Sequence, residues 1–246
     1  MKLLLFRASP RDNIPDVIAE NHKLTKYCDL LEVKFAFEFD AYKYARDYFL
    51  SNDYDYLILA TDDIIVKPEH MKQLKWDLEN LRMKDGKEYP VLSGMMNVDQ
   101  QEYNDQWGNI NICQVLGLKD RKLRQYDWYK RNTLPLEDIF EVKFAGFGLT
   151  AIKREIVELF PFHSDGVFRG TGESFGASLD FVFCWYCHEY EWMDKEGINH
   201  KSIPIFIDQR IDMQHLRISG EIQSGTREKE VWLNCTLLHM GLIGNL

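Results

Sequence analysis

Two adjacent carboxylates, Asp62 and Asp63, interrupt an apolar run in YDYLILATDDIIVKPEHM. Leu57, Ile58 and Leu59 precede them after the turn-like SNDYD, and Ile64-Ile65-Val66 follows before Pro68. Neighbouring carboxylates beside a buried strand repel each other and lose solvation, so they need a compensating cation or hydrogen-bond donors. Two readings stand on this stretch. In one, Asp62 only caps a turn. In the other, strand and turn deliver the pair to a cleft, where a divalent metal neutralises both.

The surrounding chain alternates strand and helix patterns. Strands are expected at Lys2–Phe6, Leu30–Phe37, Tyr56–Ala60 and Pro90–Met96, and helices at Ile14–Lys26, Ala41–Leu50 and Pro68–Arg82. In the last helix Met71, Leu74, Leu78 and Leu81 fall on one side. Such alternation implies parallel strands joined by helical crossovers, with ligands bound beyond the carboxyl ends of the strands. Arg7-Ala8-Ser9, Asp40 and Asp62-Asp63 each follow a strand and therefore share one rim.

The stretch Asp99–Leu136 is less periodic and rich in Tyr, Trp, Asn and Gln, an excursion carrying some strands. After it, FEVKFAGFGLTAIKREIVELF reads as a strand with a Gly-bracketed turn into a helix. GTGESFGASLDFVFCWYCHEYEW reads as a Gly-rich loop into a helix, and HKSIPIFIDQRIDMQHL as a strand pair or a bent strand ending in His215. Arg227–Leu242 is expected to form a last helix. No repeat or long Pro/Gly/Ser linker divides the chain, so one domain is expected.

Composition narrows the function classes. A hydrophobic share of 45% in 246 residues supports a real core. The net charge of -9 argues against nucleic acid as a partner, which wants a basic face, but leaves anionic small substrates open. The five cysteines are an odd number in a chain too large to need stapling, which favours reduced thiols and a cytoplasmic setting. Cys184-Trp-Tyr-Cys187 has redox or zinc spacing, yet its apolar surroundings favour buried thiols lining a helix. MKLLLF is too short for a secretory segment and reads as the first strand. No segment approaches the length of a membrane span.

Together these segments resemble the GT-A fold of nucleotide-sugar glycosyltransferases, in particular the family-2-like branch. The motifs that carry the resemblance are Ala45-Arg46-Asp47 ahead of Thr61-Asp62-Asp63, the Gly146/Gly148 turn with Lys153-Arg154-Glu155, Ser178-Leu179-Asp180 opening a helix, and IDMQHL ending in His215. Three departures stand out. Thr61 replaces a first acidic residue, Leu179-Asp180 replaces Glu-Asp, and Arg7-Ala8-Ser9-Pro10 replaces the usual Pro-Thr-Tyr-Asn.

The resemblance implies a single GT-A-like α/β domain over residues 1–246, with a Rossmann-like, mostly parallel central sheet flanked by helices. Residues 1–98 would form the nucleotide-binding half and 99–246 the acceptor-side half. It implies a hexosyltransferase-like enzyme dependent on Mn²⁺ or Mg²⁺, with Asp63 and His215 as metal ligands. Arg7, Ser9, Asp40, Arg46 and Asp62 would contact the nucleotide-sugar donor, and Asp180 would serve as base in an inverting transfer. The acceptor stays open among a glycan, a lipid-linked acceptor and a protein. Each residue also has a plainer role open to it. Asp180 could be an N-cap, His215 a surface or core histidine, Arg46 a solvated helix residue, and the two glycines a tight turn. The alternatives in function are a nucleotidyltransferase, although FRASPRDN lacks the glycines of a triphosphate loop, and a non-catalytic nucleotide- or sugar-binding module.

Overall fold

The computed structural model describes residues 1–9, 15–34, 36, 38–96, 109–119, 123–162, 179–189, 191–193 and 197–215. The strands are β1 (Leu3–Ser9), β2 (Asp29–Lys34), β3 (Tyr56–Thr61), β4 (Ile64–Ile65), β5 (Val91–Met96), β6 (Asn109–Lys119), β7 (Leu123–Lys130), β8 (Ile139–Val142), β9 (Phe144–Ala145), β10 (Thr150–Lys153), β11 (Trp192–Met193), β12 (Asn199–His200) and β13 (Ile205–His215). The helices are α1 (Pro15–Leu24), α2 (Glu38–Leu50), α3 (Pro68–Asn80), α4 (Arg154–Leu159) and α5 (Leu179–Glu189).

An eight-stranded sheet forms the centre in the order β2-β1-β3-β10-β5-β13-β4, with β8 also on β13. Strands β2, β1, β3, β5 and β13 run parallel, while β10 runs against β3 and β5, and β4 and β8 run against β13. This is the mixed α/β architecture with a mostly parallel sheet that the alternating pattern predicts. A strand covered on both faces must be apolar nearly throughout, as LLLFRAS and YLILAT are. Side chains alternate between the faces. Leu4, Phe6, Leu57 and Leu59 join a core layer with Tyr42, Ala45 and Phe49 of α2 and Phe183 of α5. Leu3, Leu5, Ile58 and Ala60 join the other layer with Leu24 of α1 and Met71, Leu74 and Leu78 of α3. Arg7 continues the second set. The sequence therefore sends a cation into an apolar face.

The strand-to-helix turn predicted at residues 144–160 needs one correction. Thr150–Lys153 is a strand, β10, and the helix starts only at Arg154. Thr150, Ala151 and Ile152 are buried between β3 and β5, where β-branched side chains pack well on a pleated surface. The excursion carries β6 and β7, which pair with each other, and β6 also pairs with β9 in a three-stranded sheet. The tail helix expected at Arg227–Leu242 lies outside the described residues. No helix among the described residues is long and apolar enough to cross a membrane.

The expected bent strand is β13, whose register shifts between Ile207 and Asp212. The shift presses Ile211 over Gly94 of β5. A Cβ on Gly94 would lie 2.6 Å from Ile211 Cγ2 and 2.9 Å from the Ile211 carbonyl oxygen. Backbone cannot yield as a side-chain tip can, so Gly94→Ala is expected to cost about 1–3 kcal/mol by overpacking. Urea unfolding measures this directly, and a variant as stable as wild type contradicts the close approach.

The irregular segment also carries Asp208 and Arg210, which meet Asp77 of α3. Arg210 Nη2 donates to Asp77 Oδ1 at 2.8 Å, and Arg210 Nε donates to Asp208 Oδ1 at 2.8 Å. Gln73 Nε2 donates to Asp77 Oδ1 at 3.0 Å. Asp77 and Asp208 are fully buried. Burial first, and then the adjoining Asp208, push the Asp77 carboxyl up to about 7. The native state thus holds a proton that the unfolded chain releases near pH 4. Stability from this group is present below that pH and is lost as pH rises toward 7. Asp77→Asn is expected to flatten the fall in stability between pH 4 and pH 7, because the amide carbonyl still accepts from Gln73 and Arg210. Parallel pH profiles for the two proteins would exclude Asp77 as the titrating group.

Candidate metal and nucleotide site

The carboxyl ends of β1 and β3 are parallel neighbours, with Arg7 opposite Ala60 and Ala8 opposite Thr61. One step further, Ser9 meets Asp62, and Ser9 Oγ donates to Asp62 Oδ2 at 3.3 Å. Within the turn, Thr61 Oγ1 donates to Asp63 Oδ1 at 2.8 Å. Asp62 is buried and Asp63 half-buried. The chain then enters β4, whose Ile64 pairs with His215 at the end of β13. The expected rim therefore brings together Ser9, Asp62, Asp63 and the backbone of His215, which are far apart in sequence. The His215 side chain lies outside the described residues.

Arg7 is placed differently from its expected position on the rim surface. Its guanidinium lies beneath the turn and is 2% exposed. Nη1 donates to the Thr61 carbonyl at 2.7 Å and to the Ile64 carbonyl at 3.1 Å, on either side of the acidic pair. Burial lowers the Arg7 pKa to about 10, opposed by the charges of Glu32, Asp62 and Asp63. It remains a cation at neutral pH. The compensation demanded by the two carboxylates is thus partly built into the first strand.

Arg46 is a second correction. Its Nε donates to the carbonyls of Val157 and Phe160 at 3.0 Å each, and its Nη2 to that of Glu158 at 2.9 Å. The last carbonyls of a helix have no partner within it, and Arg46 of α2 supplies partners for those of α4. Arg154 reciprocates from the start of α4: its Nε donates to Tyr54 O at 2.8 Å and its Nη2 to the carbonyls of Phe49 and Asn52. The Arg46 guanidinium ties two helices together, a role that neither the expected nucleotide contact nor a solvated helix residue describes. Asp40 is exposed in the first turn of α2, at the end of the helix nearest the carboxyl end of β2.

Asp180 opens α5, where its Oδ1 accepts from the Phe181 N–H at 2.7 Å. That contact is to the amide of the next residue within the first turn of α5, where the helix dipole favours a carboxylate. A packed path connects this helix to the acidic turn. Thr61 N donates to Phe147 O at 3.2 Å, and the Phe147 ring lies 5.7 Å from that of Phe183, one helical turn beyond Asp180. Gly148, beside Phe147, allows close packing. A Cβ on Gly148 would lie 3.1 Å from both Met213 Cε and Met96 Sδ.

The thiols of the CWYC stretch belong to the core. Cys184, Cys187 and Cys28 are buried thiols that form no disulfide among the described residues, and burial raises the pKa of Cys187 and pushes that of Cys28 to about 12. A cleft of about 830 Å³ lies at the amino-terminal edge of β5 and β13, lined by residues that include Arg82, Tyr89, Tyr129, Phe140, Lys153 and Phe206. It contains none of the residues predicted for the site.

The donor set can be tested against a divalent cation. Carboxylate oxygens suit Mg²⁺ and Mn²⁺, and imidazole suits Mn²⁺. Among the described residues no three His, Cys, Asp or Glu side chains group as a metal cage. Asp62 and Asp63 are carboxylates of the kind such a cation takes, with the backbone of His215 adjacent, and the rest of a cation's shell would have to come from other ligands. Sequence reasoning missed Thr61, whose hydroxyl orients Asp63, and the buried position of Arg7. The alternation Leu3-Leu5-Arg7 in β1 carried the signal for the latter.

No protein-family model matches the chain, and no curated protein sequence matches it. Among solved structures, it is similar to A197 from STIV, with 19% identity, a TM-score of 0.45, and coverage of 75% of this chain and 77% of that one. It is also similar to UDP-glucose pyrophosphorylase complexed with UDP-glucose, with 10% identity, a TM-score of 0.43, and coverage of 95% and 99%. The inositol-1-phosphate CTP transferase from T. maritima is similar at 10% identity and a TM-score of 0.43, with 96% of each chain covered. None of these three is named as a glycosyltransferase.

Proposed function

We propose that the protein is a metal-dependent transferase that binds a nucleotide sugar at the Asp62–Asp63 turn and passes its glycosyl group to an acceptor. The supporting observation is the meeting of this turn with Ser9 and with the end of β13. Asp63 and His215 are the residues that would hold the cation, with Asp62 orienting the ribose or a ligand water. A bound divalent metal supplies charge neutralisation to a departing diphosphate. Ser9 and Thr61 fix the two carboxylates in place. Asp180 takes the proton of the acceptor hydroxyl, which belongs to an inverting reaction. The buried, reduced thiols of Cys28, Cys184 and Cys187 suit a reducing compartment, and we place the protein in the cytoplasm.

The second reading is nucleotidyl transfer, since an acidic turn beside strand ends suits that chemistry as well. The inositol-1-phosphate CTP transferase is named for it, but likeness at that TM-score does not choose between the readings. Product analysis does. The protein is incubated with single nucleotide sugars and Mn²⁺, with and without pyrophosphate, and followed by ³¹P NMR. Glycosyl transfer, or its slow counterpart with water, yields the nucleoside diphosphate. Nucleotidyl transfer with pyrophosphate yields a nucleoside triphosphate and a sugar 1-phosphate, and that result would replace the first reading with the second.

A further inference from the structure

We propose that Arg7 is a positioning residue that stands in for part of the cation's charge, holding the Asp62–Asp63 turn together before a metal binds. This rests on the reading of the turn as a cation site and adds a built-in counter-charge to it. The geometry carries the inference. Nη1 bridges the carbonyls that flank the acidic pair, Thr61 O and Ile64 O, so one donor group clasps both ends of the turn. The side chain is 2% exposed, and Nε and Nη2 have no hydrogen-bond partner among the described residues. A buried guanidinium with two unsatisfied nitrogens is costly unless nearby charge offsets it. That charge is at hand: Glu32 is paired with Arg7 across β1 and β2, and Asp62 and Asp63 lie in the turn above it.

Two consequences follow from a shared counter-charge. Without Arg7 the two carboxylates repel each other in the metal-free protein, which should lose stability. An arriving cation then meets more of the pair's negative charge, because the share that Arg7 offset is gone, so its affinity should rise. A residue that contacts nucleotide, or one that merely fills space, has neither signature.

The test combines metal-free thermal unfolding with Mn²⁺ binding followed by the EPR signal of the free ion. Arg7→Met is expected to lower the metal-free Tm by roughly 10 °C, the scale of breaking a buried pair in a chain this long. In an Asp62→Asn/Asp63→Asn background the same substitution should cost less than half as much. Mn²⁺ should bind Arg7→Met about tenfold more tightly than wild type, the order expected for removing one nearby cation. Arg7→Lys, which keeps the charge, should restore the weaker affinity. Equal losses of Tm in the two backgrounds, or an Mn²⁺ affinity unchanged or weakened in Arg7→Met, overturn the proposal. If Arg7→Met alone does not fold, the triple variant with both asparagines is expected to fold, and its failure also overturns it. Absence of Mn²⁺ binding by the wild type would instead remove the functional reading, while the comparison of Tm values still decides the role of Arg7.

Discussion

Asp63→Ala is expected to abolish metal-dependent nucleotide binding while leaving the fold intact. The carboxylate stands half-buried in the turn between β3 and β4, where it accepts from Thr61 Oγ1. Removing it leaves the Thr61 hydroxyl to find another partner, at a cost of about 1 kcal/mol. It also relieves the repulsion between adjacent anions, which acts in the opposite direction. The packing of Ile58, Leu59 and Ile64 around the turn is untouched. For the cation the change is far larger, because a ligating carboxylate is lost from a site with few protein donors. A fall in Mn²⁺-dependent affinity of at least about a hundredfold is expected, beyond what changes to supporting residues usually cost. Titration calorimetry with a nucleoside diphosphate at saturating Mn²⁺ reads it. Affinity equal to wild type would take Asp63 out of the site.

The second large effect separates chemistry from binding. Asp180→Asn is expected to retain donor and metal affinity while lowering transfer to the acceptor by at least about a hundredfold, the usual scale for general-base catalysis. Asp180 Oδ1 accepts from the Phe181 N–H. An asparagine carbonyl can do the same, and asparagine caps helices well, so α5 should be spared. Leu179, Phe181 and Phe183, which anchor this helix in the core, are unchanged. What the variant loses is a site for the acceptor's proton. Single-turnover transfer with donor already bound is the measurement, and a wild-type rate would reduce Asp180 to a cap.

Much of this arrangement was legible in the residues. Alternating apolar runs and amphipathic segments marked β1, β2, β3, β5 and α1 to α3 within a few residues, because both faces of β1, β3 and β5 and one face of each helix are buried. The acidic turn was legible because two charges at the end of YLILAT cannot be core. The insertion of β10 was hidden. TAIK is too short to declare a period, and only its place between β3 and β5 makes it a strand. Arg46 was expected at the nucleotide because Ala45-Arg46-Asp47 fits a motif of the resemblance. Its actual partners, the carbonyls of α4, lie more than a hundred residues away and are invisible to local pattern. The same holds for Arg7, whose type suggests a solvent-facing phosphate contact and whose strand parity turns it inward beneath the turn.

The central claim is that the Asp62–Asp63 turn binds nucleotide through a divalent cation. A thermal-shift panel tests it most directly, with wild type and the Asp62→Asn/Asp63→Asn variant each set against nucleoside diphosphates and nucleotide sugars, with and without Mn²⁺. A ligand that binds only the native state must raise its stability by mass action. The account predicts a nucleotide that raises the Tm of wild type when Mn²⁺ is present and not otherwise, with no rise in the variant under either condition. A nucleotide that stabilises the variant as strongly as wild type, or stabilises wild type equally well without metal, would contradict it.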